Sequence, residues 1–310
     1  MEQNSLNQKF ADVITDYLFH CKVEKALNEK TIKAYQTDLI QCLQFWGNLE
    51  MRDLSKEQIR NYLCSISSFR YKTIKRKIAS LRALFHYYEF ENEGWTNPLR
   101  RMQIKMREPK RLPTVMTLDE IKELLSIAHC DLMHQVPNSL GYMLAIRNIA
   151  ILELLFVSGI RVSELCDLKL CDVDLSTGRI QIIGKGNKER IVDICQEDTI
   201  KVLNRWYIYR SKASTTEEPF FISRLGGKLS TQSVRWLIRH WVEKSGIDKH
   251  ITPHTFRHTL ATLLLEANID ITYIQHLLGH SSILTTQIYT HVNLQKQHEI
   301  LSKKHPRRLI

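Results

Sequence analysis

Residues 172–194 read DVDLSTGRIQIIGKGNKERIVDI, and this stretch decides the fold. Leu175 to Arg179 is a turn, and Ile180-Gln181-Ile182-Ile183 is a strand. Gly184 to Glu189 is a glycine-bearing hairpin, and Arg190-Ile191-Val192-Asp193-Ile194 is the returning strand. Phe220-Phe221-Ile222 reads as a short third strand. No other part of the chain carries a convincing sheet signal. The expected fold is therefore mainly α, an α+β chain whose one small antiparallel sheet sits among helices.

Helices flank the sheet on both sides. Leu144 to Val157 is an apolar helix that stops at Ser158-Gly159, and Arg161 to Leu165 opens a short one after it. Beyond the sheet come Thr231 to Glu243, His254 to Glu266, Thr272 to Leu278, and a helix bearing Tyr289 that Ser281 or Ser282 would cap. Upstream, Thr117 and Glu120 form a capping box. Before it, Ile104 to Pro113 is charged, poor in apolar residues and holds two prolines, the composition of a linker. The N-terminal part carries four helical stripes, starting near Phe10, after Asn28, after Ser55 and near Thr73, with short loops between them. We expect a four-helix N-terminal domain over 1–107, a linker over 108–114 and a second domain over 115–310.

Composition narrows the class of function. Hydrophobic content of 43% and charged content of 25% fit a globular chain. The stretch Met1 to Asn7 shows no signal-peptide pattern and no 18-residue apolar run stands out, so the reading is a cytoplasmic protein without a membrane partner. Seven scattered cysteines with no CxxC argue against a disulfide framework or a zinc site. The net charge of +11 points to a polyanionic partner. The basic residues cluster: Arg70, Lys72, Lys75, Arg76, Lys77 and Arg82 at the start of the fourth helix, then Arg100, Arg101, Lys105, Arg107, Lys110 and Arg111. Such a face usually only solvates a helix. Two of them flanking one helix and its exit fit phosphate contacts along a duplex better.

The second domain holds a different group. Arg161 and Glu164 are three apart on a helix, a spacing at which they can meet. Lys185 lies between two glycines at a hairpin tip. His254 and Arg257 follow Pro253 at the start of a helix. His280 and Tyr289 come last. Taken alone, Tyr289 reads as one of eleven tyrosines, half-buried on an amphipathic helix. Cationic donors, a proton source and a base around a tyrosine are what transfer of a phosphodiester to that tyrosine would require. His254 and His258 have a helical metal-ligand spacing, but no Glu follows His254 and no cysteine lies near, so no metal site is read there.

The segments SGIRVSEL (158–165), IGKGNKER (183–190), PHTFRH (253–258) and LLGHSSILTTQIYTHV (277–292), in that order, resemble the tyrosine recombinase or phage integrase family, and within it the Xer-type recombinases. The resemblance runs over essentially the whole chain. It implies a core-binding, SAM-like N-terminal domain and a helical catalytic domain that together form a C-shaped clamp on DNA. It implies that Tyr289 attacks the scissile phosphate to give a 3′-phosphotyrosyl link. Arg161 and Arg257 would hold the non-bridging oxygens, and Lys185 would protonate the 5′-oxygen. His254 would accept or share the tyrosine proton, His280 would bond the phosphate and Glu164 would buttress Arg161 and the histidine. No ATP, metal or other cofactor is implied. The partner would be a double-stranded recombination site, worked on in the nucleoid through a Holliday junction by a homo-tetramer or a hetero-tetramer with a related recombinase. The need for an accessory activator stays open, as does the choice between Xer-like resolution and integration or excision of a mobile element. Type IB topoisomerase-like relaxation and a non-catalytic DNA-binding relative stay open as alternatives. One departure is length: Cys130 to Ile146 makes the region before Arg161 longer than expected, a surface loop or the mark of a mobile-element integrase.

Overall fold

The computed structural model describes residues 8–47, 49–100, 102–104, 113–184, 189–212 and 218–279. The chain divides into two compact units, residues 1–110 and 111–310.

In the first unit, helices α1 (Phe10–Val23), α2 (Glu29–Trp46), α3 (Lys56–Ser65) and α4 (Tyr71–Glu91) surround one aromatic core. Asn28 and Ser55 cap α2 and α3 by accepting backbone N–H groups, which accounts for where those helices begin. Phe10 meets Trp46 edge-on at 5.2 Å, and Trp95 meets Tyr88 edge-on at 5.1 Å. The indole N–H groups of Trp46 and Trp95 donate to the carbonyls of Gln58 and Met51, so neither ring is buried at the cost of an unmet donor.

In the second unit, α6 (Leu140–Ser158) is the central helix, packed by α5 (Leu118–Met133), α8 (Glu197–Ser211), α9 (Thr231–Lys244) and α10 (Pro253–Glu266). Its hydropathy averages 1.8 over an 18-residue window, so it is long and apolar enough to cross a membrane by length and composition. That corrects the expectation of no such stretch. Its apolarity is accounted for by burial inside this unit, where Ile149 to Leu152, Leu154 and Leu155 are fully enclosed. The Thr117–Glu120 capping box is present at the start of α5.

Two further expectations change. The stretch 130–146 is the last turn of α5, a short connection and the first turns of α6, not a surface loop. The sheet gains its third strand from the other side. It runs β1 (Val173–Asp174), β2 (Arg179–Ile183), β3 (Glu189–Asp193), all antiparallel, with Ile180 opposite both Val173 and Val192. In Phe220-Phe221-Ile222 only Ile222 bridges, to Lys228, and side chains reach the carbonyls in and just before this run. Arg210 donates to Pro219, Trp206 to Phe220 and Arg147 to Ile222. The sequence reading also passed over α8, whose Val202, Leu203 and Trp206 fill the main core.

Beyond these lie α7 (Val162–Asp167) and α11 (Ile271–Leu278). Helix α11 packs on α10 through a small separate cluster of Ala261, Ile274 and Leu278. The loops that end α6 and α11 bring the site together.

Candidate active site

Helices α6 and α11 both end in a left-handed glycine, Gly159 at φ 56° and Gly279 at φ 63°. Each position also lacks room for a Cβ. One added at Gly159 would lie 2.6 Å from a methyl of Leu278, and one at Gly279 would lie 3.1 Å from Arg190 Cδ. The two helix ends therefore approach closely, and arginines fill the space between them.

Arg161 sits at the N-cap of α7. Its Nη1 donates to Glu164 Oε1 at 2.7 Å, so the i,i+3 pair read from the sequence is formed. The Arg161 backbone N–H also donates to Glu164 Oε2 at 3.1 Å. Nη2 of Arg161 donates to the carbonyl of Gly279 at 2.9 Å. Arg257, buried on α10, donates from Nη1 to the Gly159 carbonyl at 2.8 Å and from Nη2 to the Leu278 carbonyl. Two arginines that are 96 residues apart in the chain thus converge on the C-terminal turn of α11. That turn exposes carbonyls and the negative end of the helix dipole, which suits guanidinium groups.

A third arginine, not assigned a role from the sequence, joins them. Arg190 on β3 donates from Nη2 to Glu164 Oε2 at 2.7 Å and from Nε to the Leu277 carbonyl at 3.3 Å. The signal for it was its strand position. Arg190 pairs with Ile182 and lies two residues before the buried Val192, so it faces inward, where an arginine requires a partner.

Glu164 is 6% exposed. Burial alone would raise its carboxyl, but Arg190 and then Arg161 overcome this and hold it below the usual carboxylate range. It therefore remains an anion that fixes both guanidinium groups. His254, in the first turn of α10, keeps part of its surface open to solvent, while Arg257 is buried. Partial burial, then Arg257, Arg235 and Arg161, push the His254 imidazole below its ordinary value, which favours the neutral, proton-accepting form at neutral pH. His258 is pushed down to about 4 by burial, His254 and Arg257.

Lys185, His280 and Tyr289 lie outside the described residues, as do the caps Ser281 and Ser282. Strands β2 and β3 put Ile183 opposite Glu189, on either side of the stretch that holds Lys185. His280 follows Gly279 directly in the chain.

The basic face of the first unit divides. Arg70, Lys72, Lys75, Arg76 and Arg82 are exposed, although Arg76 also bonds Asp38 at 2.5 Å. Lys77 is a correction. It is 2% exposed, lies 3.6 Å from the buried Asp38 carboxylate and donates to Gln41, so it ties α4 to α2 and is not presented to a phosphate. Lys110 and Arg111 lie outside the described residues.

Comparison with known proteins gives concordant matches. Residues 114–296 match the phage integrase family, and residues 14–92 match the phage integrase N-terminal SAM-like domain. A tyrosine recombinase of Agathobacter rectalis is 44% identical over 299 residues, covering 95% of this chain and 96% of the relative. Tyrosine recombinase XerC of Thermodesulfovibrio yellowstonii is 36% identical over 301 residues, covering 94% of this chain and 96% of the relative. A crystal structure of the XerH site-specific recombinase bound to difH substrate, a pre-cleavage complex, has a TM-score of 0.74 at 22% identity, covering 94% of this chain and 84% of that one. At that identity the fold is what is shared. With both matched segments in the order of the two units, this protein belongs to the phage integrase family, that of the tyrosine recombinases it is similar to.

Proposed function

We propose that this chain cuts and rejoins DNA at a specific recombination site, with Tyr289 as the nucleophile. The observation that carries the reading is the convergence of Arg161 and Arg257 on the turn at Leu278 and Gly279. Protein groups hold both guanidinium groups, and the turn they bond leads directly in the chain to the His280 to Tyr289 segment. A scissile phosphate beside that turn would take donors from both, as fork against phosphate. The residues 115–310 form the catalytic domain in this reading, and residues 1–107 add duplex contacts through Arg70, Lys72, Lys75 and Arg82.

The chemistry follows from charge. A phosphodiester is an anion, and attack by a phenolic oxygen adds negative charge to the non-bridging oxygens. Arg161 and Arg257 offset that charge in a site that their carbonyl partners have already organised. A neutral His254 takes or shares the tyrosine proton. Lys185 returns a proton to the 5′-oxygen as it leaves, and His280 bonds the phosphate. The phosphotyrosyl link conserves the energy of the broken bond, so a 5′-hydroxyl from a partner strand can reseal it without ATP. Exchanging both strands of two duplexes takes four such steps, which fits a tetramer on a four-way junction. The XerH structure described as bound to difH substrate supports a DNA site of this kind.

The test is a nicked suicide substrate from the chromosome or element that carries the gene. Wild type forms a covalent adduct, while Tyr289→Phe binds the DNA and forms none. An adduct in Tyr289→Phe removes Tyr289 as the nucleophile. Relaxed supercoils without recombinant products indicate a topoisomerase-like activity instead.

A further inference from the structure

We infer that Arg190 is a positioning residue for this reaction, the strut that fixes Arg161 through Glu164 and fixes the end of α11 through Leu277. The inference rests on the recombinase reading above and adds to it a residue that carries no role there.

The geometry is a chain of charged contacts. Glu164 has two carboxylate oxygens, and each has an arginine: Oε1 takes Arg161 Nη1 and Oε2 takes Arg190 Nη2, both at 2.7 Å. Arg190 is also bonded to the Leu277 carbonyl, one residue before the Leu278 carbonyl that accepts Arg257 and two before the Gly279 carbonyl that accepts Arg161. Three guanidinium groups thus hold three consecutive carbonyls. Arg190 alone among them stands on the sheet, one residue past the pair Ile183–Glu189 that closes the described part of the hairpin. It therefore links three parts that the reaction must align: the hairpin strand, the Arg161–Glu164 pair and the helix end that leads to His280. Its side chain is 12% exposed, less than the 33% of Arg161, so of the two it is Arg161 that remains open to a ligand. Gly279 fits the same account, because a side chain there would press on Arg190 as well as strain the left-handed turn.

Neither guanidinium that Glu164 holds can be replaced by water at no cost, since the carboxylate is buried. Without Arg190, Glu164 keeps Arg161 but loses its other cation. Its orientation loosens and Arg161 is free to swing. Misplacement of a group that contacts the reacting phosphate on the order of 1 Å can cost about 10²-fold in rate.

The test uses the full chain and the nicked suicide substrate in single turnover, with Arg190→Met, Glu164→Gln and the double variant. Arg190→Met should bind DNA within about threefold of wild type and form the Tyr289 adduct between about tenfold and about 10²-fold more slowly. The double variant should be no slower than about the slower single variant, since both changes act through one carboxylate. A pH profile separates positioning from general loosening. Arg190 favours the charged form of Glu164, so its loss moves the Glu164 titration up. The acid-side fall in cleavage rate should then begin at higher pH in Arg190→Met than in wild type, and Glu164→Gln should abolish the difference. Where Arg190→Met does not fold, Arg190→Lys keeps a cation at Glu164 without the second bond to Leu277, and it should slow cleavage while leaving the acid limb in place. Wild-type rates in the folded Arg190 variant, an unmoved acid limb in Arg190→Met, or losses that multiply in the double variant would overturn the inference. A wild-type protein that forms no adduct sinks the recombinase reading and this one with it, whereas a wild type that cleaves beside an unaffected Arg190→Met sinks only this one.

Discussion

Among the described residues, each unit of this protein buries a carboxylate between two cations, and the two arrangements serve different ends. In the N-terminal unit Asp38 is fully buried and meets Arg76 at 2.5 Å and Lys77 at 3.6 Å, with the Ser80 hydroxyl donating to it at 2.9 Å. The contacts run between α2 and α4 and stop there. In the C-terminal unit Glu164 meets Arg161 and Arg190, and these contacts continue through the carbonyls of Leu277 and Gly279 toward His280. Each carboxylate has one partly open cation, Arg161 at 33% and Arg76 at 45% side-chain exposure, and one enclosed cation, Arg190 at 12% and Lys77 at 3%. A buried carboxylate with two cations is thus not by itself a sign of catalysis. What separates the two is where the contacts lead: those of Asp38 end within one helix pair, while those of Glu164 reach the carbonyls at the end of α11, next to His280 in the chain.

That comparison can be broken from either side. The largest effect is expected at Asp38. Removing one partner of a buried ion pair leaves the others unmet, at a cost of about 3–5 kcal/mol. Asp38→Asn should lower the unfolding free energy of the N-terminal unit by that order, read by urea unfolding with hydrogen exchange in α2 and α4. It should leave the cleavage rate of bound, folded protein near wild type. A cleavage defect at saturating DNA would mean that Asp38 is more than a structural tie.

Next comes Arg161→Ala. Losing a preorganised donor to developing charge typically costs about 10²–10³-fold. Single-turnover adduct formation should fall by that order, with affinity for the intact site little changed. A variant that loses affinity and rate together would move Arg161 from transition-state contact to simple binding.

The smallest effects lie on α4, where exposed cations flank the buried Lys77. Lys72→Ala and Lys75→Ala should each reduce the slope of log affinity against log salt by about one, as one phosphate contact is lost. Lys77→Met should destabilise the unit and leave that slope unchanged. A slope change in Lys77→Met would show that the lysine leaves Asp38 when DNA binds.

Much of this was legible in the chain. The capping residues Asn28, Ser55 and Thr117 and the terminal Gly159 mark helix ends by local chemistry, and each stands where its type predicts. The Arg161–Glu164 pair was legible for the same reason, since three residues on one helix are neighbours whatever surrounds them. Phe220 to Ile222 was not. Its apolar, aromatic run has a strand's composition, but Trp206 and Arg147 take the carbonyls at its two ends, Phe220 and Ile222. Lys77 was misread because basic residues are counted alike in a sequence, and only the position of Asp38 on another helix distinguishes it. The membership of the site was available as four motifs in order, while its wiring was not.

The sequence by itself determined the helical class, the hairpin of β2 and β3, the family and the residue types of the site, because these depend on periodicity, on turn and cap chemistry and on motifs only a few residues long. The tertiary structure alone decided that Arg161, Arg190 and Arg257 meet on three consecutive carbonyls, and that Arg190 belongs with them at all. The physical reason is distance along the chain. Contacts between residues 161, 190, 257 and 279 arise from how α6, β3, α10 and α11 pack, and no local preference records where a helix end will find its cation.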